Sequence, residues 1–282
     1  MNAPFLHGPA GRLLIINADD FGAAEEINEA VEISHRSGIL TSASLMVGGA
    51  AASDAIARAR ALPTLRVGLH VALVDARPCL NPEEIPGLID RSGRLRSDVR
   101  KLAFDIALSA RLRRQMRAEI KAQFEAFARS GLKLDHADAH KHFHLHPVVA
   151  REIIAIGREF GLEALRVPSE FGWTLVSPWL ALLRAQARRA RLMMPDAVFG
   201  LRWSGAFTAE RMLELLRDLP PGVIELYLHP AIANRFCGSV PGYRYREEFE
   251  ALCAPAVVAA IKRAGLRLGG YADANPSLVG RE

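Results

Sequence analysis

Several short apolar runs in this sequence end in acidic or histidine side chains, where chemistry would be expected. Asp19 and Asp20 follow the run 13–16, His70 interrupts the run 66–73, and His229 follows the run 223–228. Two adjacent carboxylates after a buried strand are costly unless something neutralises them, and a divalent cation commonly does so. The alternatives are that Asp20 caps a following helix and that His70 is a core histidine with one hydrogen-bond partner.

Histidines also occupy every second position from 140 to 146. In an extended chain these four side chains would line one side of the backbone. One ion cannot bind all four, so at least two of them would contact substrate or support the ligands. A surface cluster of histidines is the alternative interpretation.

One carboxylate and two imidazoles from three strand ends form a ligand set that leaves coordination positions open for water and substrate. Such a metal polarises a carbonyl and lowers the pKa of bound water to about 7, so a second aspartate can accept the proton of that water. We expect one divalent ion, with zinc ranked ahead of magnesium, manganese, iron and cobalt. The three cysteines form no C-x-x-C pair, so they are interpreted as reduced thiols and not as a structural zinc site.

A parallel sheet must bring these residues together, because short apolar runs alternate with segments of helical period. Strands are predicted at 13–17, 41–47, 66–73, 132–139, 165–167, 223–228 and 266–271. Helices are predicted at 25–36, 50–61, 98–130 with one break, 147–160, 178–191, 208–216 and 246–264, and 75–97 is a long excursion. The pattern predicts one distorted (β/α) barrel of about seven parallel strands, with its chemistry at the carboxyl ends of the strands.

Composition agrees with a single globular domain covering residues 1–282. The 282 residues are 50% hydrophobic and 24% charged, which excludes a disordered chain and a small disulfide scaffold. Lys and Arg number 36 against 31 acidic residues, a mild excess of +5. No basic leader and no apolar stretch of membrane-spanning length is present, so a cytoplasmic location is expected.

Four ordered motifs resemble those of the YdjC-like carbohydrate deacetylases: NADDFG at 17–22, GLH at 68–70, DAHKHFH at 138–144 and ELYLHP at 225–230. The resemblance covers about residues 12–272. It implies a barrel related to the polysaccharide deacetylases, a divalent metal, and removal of acetyl from an N-acetylated sugar.

Position by position, the resemblance makes Asp20, His70 and His140 the metal ligands and Asp19 the general base. His229 matches the general acid toward the leaving amine. Arg166 resembles an arginine that holds the base carboxylate, with a surface arginine as the alternative. Three further polar residues of the third motif are assigned to substrate contacts, namely His142, His144 and Asp138.

The residues in and around these motifs resemble the hopanoid-associated members of the family (HpnK type) more closely than the chitooligosaccharide deacetylases. This implies an N-acetylglucosaminyl hopanoid, a lipid-linked sugar, as substrate. The stretches 100–121 and 175–194 are rich in Lys or Arg beside apolar residues, which favours peripheral contact with the inner membrane. Ordinary outer helices of a barrel would give the same pattern.

Two alternative functions are compatible with parts of this sequence. A diacetylchitobiose deacetylase is the alternative within the same chemistry, and a non-catalytic sugar- or nucleic-acid-binding protein is the alternative from another class. No nucleic-acid partner is expected, because carboxylates in the predicted pocket would repel phosphates. The sequence leaves the oligomeric state open.

Overall fold

The computed structural model describes residues 12–170 and 177–274. Strands and helices alternate through these residues, as expected when each strand is covered by the helix that follows it. The strands are β1 (Arg12–Phe21), β2 (Ser42–Leu45), β3 (Arg66–Val71), β4 (Leu134–Ala139), β5 (Ala197–Phe199), β6 (Gly222–Leu228) and β7 (Arg267–Leu268). The helices are α1 (Glu25–Ser37), α2 (Ala52–Arg60), α3 (Val99–Leu108), α4 (Ala110–Arg129), α5 (Pro147–Glu159), α6 (Ser177–Arg189), α7 (Ala209–Leu216), α8 (Tyr245–Cys253) and α9 (Pro255–Arg263).

The strands form one parallel sheet in the order β4-β3-β2-β1-β6-β5, and β7 pairs with the first half of β1. Isolated bridges from Ala137 to Leu165 and from Ala164 to Met193 extend the curl of the sheet beyond β4. The predicted distorted barrel of parallel strands is therefore confirmed. Since β1 lies between the two halves of the sheet, Leu14, Ile15 and Ile16 are fully buried.

Helix α4 fixes the start of the excursion that follows β3. The Glu119 carboxylate accepts hydrogen bonds from the backbone N–H groups of Cys79 (2.8 Å) and Leu80 (3.0 Å). The Gln123 side chain accepts from the Ala72 N–H (2.9 Å) and donates to the Ala72 carbonyl (2.6 Å). The predicted excursion is thus attached to the barrel by the buried Glu119 side chain, and Gln123 of the same helix holds the residue that directly follows β3.

Two predicted elements differ from the structure, and one observed strand was not predicted. The helix predicted at 246–264 is two helices, because Pro255 forces Ala254 into extended backbone (ψ 122°) between α8 and α9. The strand predicted at 165–167 is reduced to single bridges, and the short strand β5 was not predicted. The segment 98–130 does break once, at Ser109, whose hydroxyl caps α4 by accepting from the Leu112 N–H.

The basic stretch predicted at 175–194 falls largely on α6, while Leu175 and Val176 lie outside the described residues. Within 12–170 and 177–274, no helix combines the length and apolar character that crossing a membrane would require.

Candidate active site

A bulge at the end of β1 brings two neighbouring carboxylates to the same place. The register between β1 and β2 shifts between Ala18 and Phe21, and Asp20 adopts left-handed backbone with φ +61°. Alternate residues of a regular strand point to opposite faces, so the bulge frees Asp19 and Asp20 from that alternation. The Asn28 side chain holds the following turn, accepting from the Gly22 N–H at 2.8 Å.

Asp20 does not cap a helix, so that alternative interpretation is wrong. The N-cap of α1 is Ala24, without a side-chain hydrogen bond. The Asp20 Oδ1 atom instead lies 3.0 Å from His140 Nδ1 and 3.3 Å from His70 Nε2. Burial alone would raise the pKa of Asp20, but the two imidazoles, His140 first, hold it well below its ordinary value.

The same three residues fit a divalent cation. His70 Nε2 and His140 Nδ1 are 3.3 Å apart, and one donor atom from each of the three lies within 4.8 Å of the other two. Ligand atoms about 2.0–2.2 Å from one ion are separated by about 3.0–3.5 Å in tetrahedral or octahedral geometry. The observed separations of 3.0 and 3.3 Å therefore match the edges of such a coordination polyhedron.

Asp138 lies behind His70 and does not face a substrate. Its carboxylate accepts from His70 Nδ1 at 2.8 Å, from Ser44 Oγ at 3.1 Å and from Arg166 Nη1 at 2.5 Å, and the residue is fully buried. The predicted substrate contact is wrong because these three partners use its oxygens. A carboxylate on the second nitrogen of a metal-ligating histidine fixes the ring orientation. Burial lowers the pKa of His70, but Asp138 raises it well above its ordinary value.

Arg166 is fully buried, so the surface alternative is wrong. Its Nη1 and Nη2 atoms donate to the two Asp19 oxygens at 2.7 Å each, and its Nε and Nη2 donate to Glu225 Oε1 at 2.9 and 2.7 Å. The surrounding carboxylates, with Asp138 the strongest, overcome burial and raise the Arg166 pKa well above its ordinary value. A planar guanidinium with two bonds to Asp19 fixes the orientation of that carboxylate.

A second acidic group, formed by Asp19, His70 and Asp138, is also close enough to hold an ion. Arg166 already donates to both of its carboxylates. A cation there would meet a fixed positive charge, so Asp20, His70 and His140 form the better site.

The charge balance of the site also favours a divalent ion. Three carboxylates, Asp19, Asp138 and Glu225, pair with Arg166, and Asp20 lies beside the two imidazoles. With the imidazoles neutral, as they are when they bind a metal, these groups carry a formal charge of 1 − 4 = −3. A divalent cation reduces this to −1. Buried charges are tolerated when they are paired or coordinate metals, so the set is consistent with metal binding.

His229 follows β6 and is half-buried. Its backbone N–H donates to the buried Glu248 carboxylate at 2.5 Å, and its ring lies 6.0 Å from Tyr227, centroid to centroid. Within the part of the chain that the structure describes, its Nδ1 atom is buried and has no hydrogen-bond partner. Its loop is therefore fixed, while its ring has hydrogen-bonding capacity left for a ligand.

The run 140–146 is not extended, so the prediction that its histidines share one side is wrong. Residues His140–Leu145 form 3₁₀ turns interrupted by a kink, where Lys141 and His142 both adopt left-handed backbone with φ of +52°. His142 Nε2 lies 2.9 Å from the Tyr227 hydroxyl, and burial lowers its pKa well below the ordinary value. His144 is fully buried, which lowers its pKa to about 4 and excludes the predicted substrate contact.

Sequence reasoning missed the residues behind Arg166. Glu225 receives the Tyr271 hydroxyl in a short hydrogen bond, and Asn17 Nδ2 donates to Asp19 Oδ1 at 2.8 Å. Glu225 interrupts the apolar strand VIELYL and Asn17 ends the run LLII, which are the same signals that marked His70. Their partners come from distant strands, so their roles could not be assigned without the fold.

The sequence profile of the YdjC-like protein family matches residues 13–263. The chain belongs to the YdjC-like family. Among relatives of this YdjC-like chain, a carbohydrate deacetylase of Brevibacillus brevis is 30% identical over 219 residues, covering 77% of this chain and 81% of the relative. A chitooligosaccharide deacetylase of Klebsiella pneumoniae is 30% identical over 270 residues, covering 93% and 99%.

A solved structure supports the fold of this YdjC-like protein. The crystal structure of an Enterococcus faecalis protein, linked by its name to cellobiose-phosphate cleavage, superposes with a TM-score of 0.78 at 27% identity. The match covers 94% of this chain and 99% of that one.

Proposed function

We propose that this YdjC-like protein is a metal-dependent N-deacetylase that removes acetyl from an N-acetylglucosamine unit carried on a lipid, specifically an N-acetylglucosaminyl hopanoid. The observation that carries the hydrolase assignment is the placement of Asp20, His70 and His140 beside Asp19, whose carboxylate is fixed by Arg166. The relatives named carbohydrate deacetylase support the reaction class.

Asp20, His70 and His140 would hold the divalent ion. When bound, it supplies Lewis acidity, which polarises the amide carbonyl and brings the pKa of a water to about 7. The identity of the metal is part of the proposal, with zinc first because it suits a site of two imidazoles and one carboxylate.

Asp19 is placed to act as the general base. Both of its oxygens accept from Arg166, and Asn17 adds a third bond, so the carboxylate has one orientation. As water attacks the amide carbon, Asp19 removes its proton, which is a role that contributes about 10²–10⁴-fold in typical enzymes. His229 donates a proton to the departing nitrogen, the C–N bond breaks, and acetate and the free amine leave.

The lipid part of the proposal rests on exposed apolar side chains. Phe104 and Leu108 on α3 are 66% and 69% exposed, and Trp179 and Leu182 on α6 are 49% and 39% exposed. The Gln186 amide of α6 donates to the carbonyl of Pro147, directly after the histidine run, so α6 borders the end of the barrel that carries the site. Exposed large apolar groups beside basic residues are typical of membrane-surface contacts.

Acetate release tests the reaction and its substrate together. Mass spectrometry should detect acetate and the free amine from N-acetylglucosaminyl hopanoid, and a chelator should abolish both. Release from diacetylchitobiose alone would assign the alternative substrate, in line with the chitooligosaccharide deacetylase relative. Release from neither substrate, with metal bound, would reject the deacetylase and favour a binding protein.

Flotation with vesicles tests the membrane contact separately. We expect the parent to float with anionic vesicles and Trp179→Ser to float less, because it removes an exposed aromatic anchor. Val240→Ser is the matched control, since Val240 is 46% exposed on a loop outside α6. Equal flotation of all three proteins, or none, would remove the membrane argument.

A further inference from the structure

An aromatic wall stands beside His229, made by Phe236, Tyr243 and Tyr245. The ring of Tyr243 lies 5.6 Å from that of His229 and 5.4 Å from that of Tyr245, and Phe236 lies 4.9 Å from Tyr245. We propose that Tyr243 is a sugar-binding residue. Its ring packs against the C–H face of a pyranose, while the acetamide of that sugar reaches Asp19 and His229. This inference rests on the proposed deacetylase function and names a contact for its substrate.

Tyr243 is held rigidly. Gly205 has φ +74°, and a Cβ there would lie 2.3 Å from Tyr243 Cδ1, so the glycine lets the ring lie against backbone. The Tyr243 hydroxyl is 3.1 Å from Ser204 Oγ, and the Arg244 N–H donates to the Gly205 carbonyl at 2.6 Å. A contact surface that is already ordered loses little entropy when a ligand binds.

Tyr245 lies within electrostatic range of Asp20, one of the proposed metal ligands. Burial raises the pKa of Tyr245 to about 12, and the nearby Asp20 carboxylate adds to this shift. Tyr245 is 3% exposed, whereas Tyr243 remains partly exposed. Phe236 is also partly exposed, but Tyr243 is the partly exposed member whose ring lies beside that of His229.

Glu248 fixes the distance between the wall and His229. One of its carboxylate oxygens accepts from the His229 N–H at 2.5 Å and the other from the Phe207 N–H at 2.8 Å. The segment that carries Ser204 and Gly205 is thereby attached to the loop that carries His229. A ligand held on Tyr243 would keep a constant position relative to the proposed acid.

A pyranose suits this surface chemically. Its ring presents an apolar C–H face, and the face of an aromatic ring carries the negative part of the quadrupole, which attracts polarised C–H groups. The site residues, in contrast, present carboxylates, imidazoles and a guanidinium, which are polar groups. The wall therefore supplies the apolar contact that a sugar needs and that the catalytic groups do not provide.

The test compares Tyr243→Ala, Tyr243→Phe and the same-loop control Val240→Ala, each loaded with zinc. Titration calorimetry with chitobiose, which has no acetyl group to lose, measures sugar binding. Steady-state kinetics compares diacetylchitobiose with N-acetylethanolamine, an acetamide that has no pyranose ring. We expect Tyr243→Ala to weaken chitobiose binding and to raise the KM for diacetylchitobiose by roughly 3- to 10-fold, while Tyr243→Phe and the control stay within twofold.

Three outcomes would overturn the inference. The first is a Tyr243→Ala variant that binds chitobiose as tightly as the parent, and the second is a parent that does not bind chitobiose. The third is an equal fall in kcat on both acetamides, which would make Tyr243 a positioning residue for His229. If the parent binds chitobiose through Tyr243 but releases no acetate, the sugar contact holds and the proposed deacetylase function fails.

Discussion

Replacing Arg166 by methionine should destabilise the protein strongly, because its guanidinium is the shared cationic partner of three buried carboxylates. Arg166 is fully buried, and Asp19, Asp138 and Glu225 accept from it at 2.7, 2.5 and 2.7 Å. Removing one partner of a buried ion pair costs about 3–5 kcal/mol, because the other charge is left without compensation. At about 2–4 °C per kcal/mol for a domain of this size, the melting temperature should fall by about 6–20 °C.

Thermal and urea unfolding, followed by circular dichroism, measure this loss. Arg246→Met is the matched control: its side chain is 64% exposed and pairs with Glu250, and such surface pairs contribute about 0–1 kcal/mol. The loss in Arg166→Met should be larger with chelator than with saturating zinc, because the ion offsets part of the negative charge. An Arg166→Met protein within about 1 kcal/mol of the parent under both conditions would refute the reasoning.

Three further predictions concern single side chains. Asp19→Asn should keep its bound metal but lose nearly all acetate release, and an Asn variant as active as the parent would reject Asp19 as the base. Asp20→Ala should lose at least tenfold in zinc affinity, measured by competition with a chromophoric chelator, and unchanged affinity would exclude Asp20 as a ligand. Burial lowers the pKa of His144 from 6.5 to about 4, so the folded protein binds fewer protons than the unfolded chain between these values. The free energy of unfolding therefore has its full value above pH 6.5. About 3 kcal/mol of it is lost as the pH falls to 4, because the unfolded chain binds the proton more readily than the folded protein. Urea unfolding in chelator should show a shallower pH dependence for His144→Leu, and parallel curves for the two proteins would contradict this origin.

Local sequence signals predicted the parts of the fold that are locally determined. Apolar runs bounded by turn residues located the strands, and polar residues at their carboxyl ends located the site. One break in 98–130 was predicted without a position, and the structure places it at Ser109, whose side chain caps α4. The interruption before Pro255 was available from the same kind of signal, since the residue before a proline avoids helical backbone.

The geometry that depends on tertiary contacts could not be predicted. Asp20 adopts left-handed backbone because the turn after it is held by Asn28, and nothing in NADDFG alone requires this. His142 likewise leaves the extended form, in a turn where its ring meets Tyr227 from β6. Asp138 was assigned to substrate because the sequence could not show that Arg166 and His70 would occupy its oxygens.

The central position of β1 has a consequence during synthesis. β1 ends at Phe21, and its partner β6 begins at Gly222, about two hundred residues later. At about 5–20 residues per second, a nascent chain displays one open hydrogen-bonding edge of β1 for about 10–40 seconds before that partner exists. We expect newly made chains to need protection from aggregation during this interval, since an unpaired apolar edge readily joins a neighbouring chain.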